Sequence, residues 1–411
     1  MSAFQALRPI RLTCIALLAT VVAIGVGCGS GSDDNSGGGD TGATPDGPIT
    51  IGAATAETGV IKDFDGPALA GAQVAIDDIN AEGGIDGRKL EFVHTDMKSD
   101  PTLGPQAAIE AFNQGADVLI VSCDFDFGSP AASVAQNEGK VAMSLCAGST
   151  KFGPQGIGSL AYTAGTPAAV EGAVLAEWAY EEQGWETAYS LTGTTLVYSE
   201  AYREGFDSRW EELTDGKGLL GADKFQEEDQ SIAAQITRLK NLPEQPDVIS
   251  FCSLPPGGSS AIRQIRSAGI TTPIVSCLGM HTRGWWTGVP GLKDFYYTSY
   301  GSYSGDDGDP EVNRLNDEVS KVTGGEQNGS MFVAGYSAME LIKQGIEDAG
   351  STDGAALAEA MDGFEEVSTL AGATTFTPKS HISFDRPMAI SEIRDGEPHF
   401  VTRYTPTSVP R

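Results

Sequence analysis

Positive charge is scarce in this chain. Its 26 Lys and Arg stand against 56 Asp and Glu, a formal net charge of −30 at pH 7. That shortage excludes a nucleic-acid partner, because phosphate binding needs clustered cations. Histidine is rarer still, and the four at 94, 281, 381 and 399 stand apart from one another. Catalytic signatures are missing too. There is no Gly-x-Ser-x-Gly, Walker loop, Cys-x-x-Cys or His-Glu-x-x-His, hence nothing that announces acyl transfer, phosphoryl transfer or metal-assisted hydrolysis. The run 156–161 fits Gly-x-Gly-x-x-Ala formally, but it precedes a strand instead of opening a helix after one, so it reads as a turn. The run 305–309 reads as a solvated loop ahead of a helix, with Asp309 as cap and Pro310 in its first turn. Asp124-x-Asp126 lacks the third acid of a calcium loop. The expectation is a protein that is not an enzyme and uses no metal or cofactor.

The length of 411 residues is ample for two ordinary domains. With 40 % hydrophobic residues and 16 Phe, 11 Tyr and 5 Trp, the chain is not a disordered one. Residues 1–27 stand outside the fold. Arg8 and Arg11 make a basic start, residues 12–26 are an uncharged apolar run, and Gly27-Cys28 closes it. The run is short for a bilayer span and reads as a secretory signal. The small residue before Cys28 resembles a bacterial lipobox, with Gly25 departing from its usual aliphatic, so Cys28 is the expected lipidation site. An ordinary cleaved signal with an incidental cysteine is the competing reading. Residues 28–47, rich in Gly, Ser and Asp, would form a flexible tether. No later run of about 18 apolar residues exists to span a membrane.

From Ile49 onward β-rich runs alternate with helical patterns, the mark of parallel α/β architecture. Strands are expected at 49–54, 88–96, 116–123 and 140–146, with helices at 66–84, 102–115 and 129–137, the last capped by Ser129-Pro130. The order then repeats: strands at 186–192, 219–225, 246–252 and 273–277, with helices at 199–213, 231–242 and 257–269. Asp-Val opens the third strand of each copy, and each copy ends its third and fourth strands in cysteine. The spacings match closely, 23 residues from Cys123 to Cys146 and 25 from Cys252 to Cys277. Neighbouring strand ends lie within bridging reach, and an exported chain meets an oxidising compartment. Two disulfides, Cys123–Cys146 and Cys252–Cys277, are expected, against the alternative of four buried free thiols.

Three stretches, TGVIKDFDGPALAGAQVAIDDINAEGGIDGRKLEFVHTD, QITRLKN…PDVISF and FVAGYSAMELIKQGIEDAGSTDGAALAEAM, resemble the branched-chain amino-acid-binding (Leu/Ile/Val) family. These are type I periplasmic solute-binding proteins of ABC importers. The resemblance runs from Pro48 to about His399. It implies two doubly wound parallel-sheet lobes joined by three hinge strands, with crossings near 163–168, 298–302 and 371–380. Lobe I would comprise 48–166 and 301–370, and lobe II 167–300 and 371–411. It further implies a lipid-anchored extracytoplasmic monomer that passes a small-molecule ligand to ABC permease subunits in the membrane. A receptor of the same fold feeding a signalling partner is the alternative.

Carried over residue by residue, the resemblance gives a mixed binding set. Phe64 falls at a ligand-flanking aromatic. Phe127, Gly128 and Ser129 fall near a carboxylate-binding helix start, and Ala147, Gly148, Ser149 and Thr150 in a carboxylate-binding loop. Tyr198 matches a tyrosine ahead of the first helix of the second lobe. In amino-acid binders an acid after the fourth strand of the second lobe holds the ammonium; here that place falls on Leu278, and Leu254 lies in the neighbouring loop. The first-lobe loop has instead gained Asp124 and Asp126. These departures point to an apolar-bodied acid or amide, or to a basic or hydroxylated solute should the two aspartates face the cleft.

Overall fold

A computed structural model describes residues 47–409. The expected signal segment 1–27, the lipidation site Cys28 and the tether up to residue 46 lie outside them. The described chain begins with β1 (Ile49–Thr55), α1 (Lys62–Glu82), β2 (Leu90–Asp96), α2 (Gly104–Asn113), β3 (Val118–Val121), α3 (Phe125–Asn137), β4 (Ala142–Ser144) and β5 (Ala161–Thr163). These five strands form one parallel sheet in the order β2-β1-β3-β4-β5. There follow α4 (Ala168–Glu177), β6 (Ala188–Gly193), α5 (Val197–Leu213), β7 (Leu219–Phe225), α6 (Ala233–Lys240), β8 (Val248–Cys252), α7 (Gly257–Ser267), β9 (Ile274–Ser276) and β10 (Phe295–Ser299). The chain closes with α8 (Pro310–Thr323), α9 (Met331–Ala349), α10 (Gly354–Met361) and the hairpin β11 (Met388–Arg394) and β12 (Glu397–Tyr404).

The second sheet runs β12-β11-β10-β9-β8-β6-β7. Read from β7 to β10 it repeats the first sheet strand for strand, all parallel, with the antiparallel hairpin added at its edge. The two lobes expected from the duplicated pattern are therefore present. Central strands are near-continuous Val, Ile and Leu because helices cover both faces of a parallel sheet; β3, for example, is Val-Leu-Ile-Val and wholly buried.

Glycine sets the helix spacing in both lobes. A Cβ on Gly335 would collide with the Ala68 carbonyl and one on Gly71 with the Phe332 backbone, so α1 and α9 touch backbone to backbone. In the second lobe Gly172 and Gly205 do the same for α4 and α5, against Tyr202 and Ala169.

Three expectations about local structure need correction. Helix α3 starts at Phe125, not at Ser129: the Asp124 carboxylate accepts from the backbone N–H of Asp126 at 2.8 Å, and Ser129 lies within the helix. Pro130, which the sequence marks as a first-turn signal, lies at the sixth helical position, where its ring nitrogen cannot donate to the Asp126 carbonyl. The loop at 305–309 is not merely solvated. Asp307 is buried, accepts from the Ser302 N–H at 2.6 Å and pairs with Arg403 at 3.0 Å, tying β12 to the chain after β10. The third crossing also comes later than 371–380. His381 still stacks on Tyr162 of β5 with ring centroids 3.8 Å apart, and the chain reaches the second sheet only at Met388.

The crossings are bonded to one another. The Thr166 N–H on the first donates to the Tyr300 hydroxyl on the second at 3.0 Å. On the third, the fully buried Arg386 guanidinium donates to the Ala164 carbonyl of the first and to Thr374.

Candidate functional site

Open parallel sheets place ligands at the carboxyl ends of their strands, where loops and helix starts gather. Here both sheets turn those ends toward one shared cavity of about 50 Å³. At about 10–15 Å³ per water this is room for a handful of water molecules, so the lobes stand nearly closed on each other.

The first-lobe wall is built by the ends of β3 and β4. Cys123 and Cys146 are disulfide-bonded as expected, with Cα atoms 4.4 Å apart, and both line the cavity. Behind them Asp65 on α1, fully buried, accepts from the N–H of Ala56 and of Cys123 at 2.8 Å each. Burial raises Asp65 to about 6, although these bonds pull the other way. Asp124 and Asp126 both face the cavity. Burial, with the nearby Asp126 charge, pushes Asp124 up to about 7. Phe64, Gly148 and Ser149 complete this wall.

The second-lobe wall carries Tyr198, Leu254, Leu278 and a residue not foreseen, Glu171. Glu171 sits in the first turn of α4, 1 % exposed. Its Oε2 accepts from the Tyr198 hydroxyl at 2.7 Å, the Leu278 N–H at 3.2 Å and the Thr298 hydroxyl at 3.2 Å. Burial dominates and raises the carboxyl to about 7. The close approach at Gly172 and Gly205 brings α4 near enough to α5 for the Tyr198 bond to form. The second disulfide, Cys252–Cys277, joins the ends of β8 and β9 beside this wall, with Cα atoms 5.2 Å apart.

Of the residues expected at a ligand, Phe64, Asp126, Gly148, Ser149, Tyr198, Leu254 and Leu278 line the cavity. Four do not. Phe127 packs against a hydrophobic cluster that includes Ile61, Leu119 and Val121. Ser129 lies within α3, half-buried, and its backbone carbonyl accepts from the Ser133 hydroxyl. Ala147 is fully buried and gives its N–H to Ser144. Thr150 lines an adjoining groove with Lys151, Glu200 and Glu204. The helix start expected to bind a carboxylate is already occupied, because Asp124 supplies that carboxylate itself. Leu278 likewise does not leave the second lobe without an acid, since Glu171 reaches its backbone from another element. The signal for Glu171 was an acid near the start of an otherwise apolar run, AAVEGAVLA.

A family model described as "Periplasmic binding protein" matches residues 48–398. The chain belongs to that family. Its two-sheet α/β architecture is that of the type I periplasmic binding proteins, and the relatives it resembles include Leu/Ile/Val-binding proteins. It is 24 % identical over 335 residues to the Leu/Ile/Val-binding protein BraC3 of Rhizobium johnstonii, covering 80 % of this chain and 87 % of that one. Its fold matches the branched-chain amino acid transporter substrate binding protein LivJ of Streptococcus pneumoniae, solved in complex with isoleucine: TM-score 0.74, 19 % identity, 88 % of this chain and 100 % of that one. It also matches an ABC transporter solute-binding protein of R. palustris in complex with benzoate, with TM-score 0.69, 16 % identity, and 89 % and 98 % covered. Periplasmic binding proteins of this kind capture solutes outside the cytoplasm and are not enzymes. No helix among the described residues is long and apolar enough to cross a membrane.

Proposed function

We propose that this protein is the extracytoplasmic solute receptor of an ABC importer, lipid-anchored through Cys28, closing its lobes on one small organic solute and presenting it to permease subunits as a monomer. The observation that carries the reading is the cavity itself, bounded by the strand carboxyl ends of both sheets and spanned by three bonded crossings. A cavity of about 50 Å³ admits no amino-acid-sized molecule without movement, so capture involves rotation of one lobe about the crossings. Phe64, Asp126, Gly148, Ser149, Tyr198, Leu254 and Leu278 are the proposed contacts, joined by Asp124 and Glu171.

A thermal-shift screen of amines, amino acids, carboxylates and amides on the purified chain tests this. A true ligand at a hundred times its Kd stabilises the folded form by about 2.7 kcal/mol. Scattering should show the particle contracting with the same compound. If no compound of any charge class raises the melting temperature, solute capture is wrong.

A further inference from the structure

Within that solute-capture reading, the cavity's charge has one sign. Among the described residues its wall contains three carboxylates, Asp124, Asp126 and Glu171, and no Lys, Arg or His. All three have oxygen to spare: among the described residues the Asp126 carboxylate accepts no hydrogen bond, and the other two use one oxygen each. Asp124 spends Oδ1 on the Asp126 and Phe127 N–H groups, and Glu171 spends Oε2 on Tyr198, Leu278 and Thr298. Oδ2 of Asp124 and Oε1 of Glu171 accept no hydrogen bond among the described residues. Neither oxygen is among the fully enclosed polar atoms, and both residues line the cavity, so a donor in the cavity can reach them. The nearest bases do not neutralise the wall. Lys151 belongs to the adjoining groove with Glu200 and Glu204. His281 packs behind Phe64 with ring centroids 5.7 Å apart, and burial pushes it down to about 4, leaving it neutral.

Apart from the Ser149 hydroxyl the side chains of the rest of the wall are apolar or aromatic: Phe64, Phe125 and Tyr198 offer ring surface, with Leu196, Leu254 and Leu278 between them. Among the described residues no three acidic, imidazole or thiol groups converge as a metal-ligand set. Carboxylates spread among aromatic rings suit an organic cation, which gains both ion pairing and attraction to the ring faces. A ligand carboxylate meets the opposite situation. The α3 start that would hold it is filled by Asp124, and its charge would repel all three acids.

We propose that the captured solute carries a cationic nitrogen on an apolar body, held between Asp124 and Asp126 of the first lobe and Glu171 of the second, and that solutes whose only charge is a carboxylate are rejected.

Three compounds with the same branched side chain separate the head groups: 3-methylbutylamine, leucine and 4-methylpentanoate. Calorimetry on the full chain at pH 8 should show the amine binding at least about a hundredfold more tightly than the acid, with leucine between them. Asp124→Asn keeps a capping oxygen and Glu171→Gln keeps an acceptor. Each should weaken the amine at least about tenfold while circular dichroism stays native. At pH 7 amine binding should also release protons, so the measured heat should change between buffers of different ionisation enthalpy. Tighter or equal binding of 4-methylpentanoate, benzoate or an amide would overturn the cationic class and leave solute capture standing. Amine binding untouched by both variants would overturn the assignment of these carboxylates. Failure of every compound, in all charge classes, would overturn solute capture with it.

Discussion

Replacing Glu171 by glutamine should make the unliganded protein more stable, and only above about pH 4.5. The carboxyl is fully buried and raised from an ordinary 4.5 to about 7 by that burial. At about 1.4 kcal/mol for each tenfold, the gap amounts to roughly 3 kcal/mol against folding once the group is ionised. The groups facing it are Tyr198, Thr298 and the Leu278 N–H, with the Tyr202 and Tyr300 phenols nearby, and none of them is a cation. Between pH 4.5 and about 7 the folded state keeps a proton that the unfolded state has lost. Stability therefore falls as pH rises through that window and is level beyond it. Glutamine has the same shape, accepts the same three bonds and does not titrate. Glu171→Gln should match the wild type at about pH 4 and exceed it by about 2–3 kcal/mol at about pH 8. Urea melts at half-unit steps of pH would show this as a divergence of midpoints. An advantage that is the same at both ends of the range, or a loss at the alkaline end, would refute the argument that burial rather than hydrogen bonding governs this carboxyl.

Other consequences are simpler to read. Peptide mapping without reductant should recover Cys123 with Cys146 and Cys252 with Cys277, and reducing either bond should cost about 3 kcal/mol of stability; alkylation of all four in the folded protein would contradict this. Gly335→Val inserts carbon where the Ala68 carbonyl already stands, so α9 must lift from α1, at a cost of at least about 2 kcal/mol by thermal melting. An unchanged melting temperature would mean the helices are not in backbone contact. Mass spectrometry of membrane fractions should find a lipid-modified Cys28 at the mature N-terminus, and a soluble product starting elsewhere would refute the anchor.

Much of the architecture was legible because it is written in local pattern. Alternating strand and helix runs, the repeated Asp-Val openings and the paired cysteines identified two copies of one lobe. The expected strands overlie β1–β4 and β6–β9, differing only at their ends. The misses share a cause, which is that a tertiary contact overrode a local signal. Ser129-Pro130 looks like a helix start, yet Asp124 caps the same helix, which begins at Phe125, about one turn ahead of Ser129. Helix α4 escaped notice because nine of its ten residues are buried, so it shows no polar face and no helical period. With it went Glu171. The stretch before β11 carries no periodic pattern at all, and it is held to the first lobe by the stack of His381 on Tyr162 and by Arg386, neither of which has a sequence signature. The binding set went astray at the same place: Phe127 and Ser129 were placed at a helix start that in fact lies at Phe125.

Both disulfides close loops that carry the cavity wall, Asp124 and Asp126 between Cys123 and Cys146, and Leu254 between Cys252 and Cys277. In a reducing compartment these loops are unpinned, and the pieces of the wall are no longer held in mutual register. Affinity would then be acquired only on oxidation. Under the proposed role as an importer's receptor, a newly made chain in the cytoplasm would leave the cell's own pool of the solute untouched and compete for it only after export.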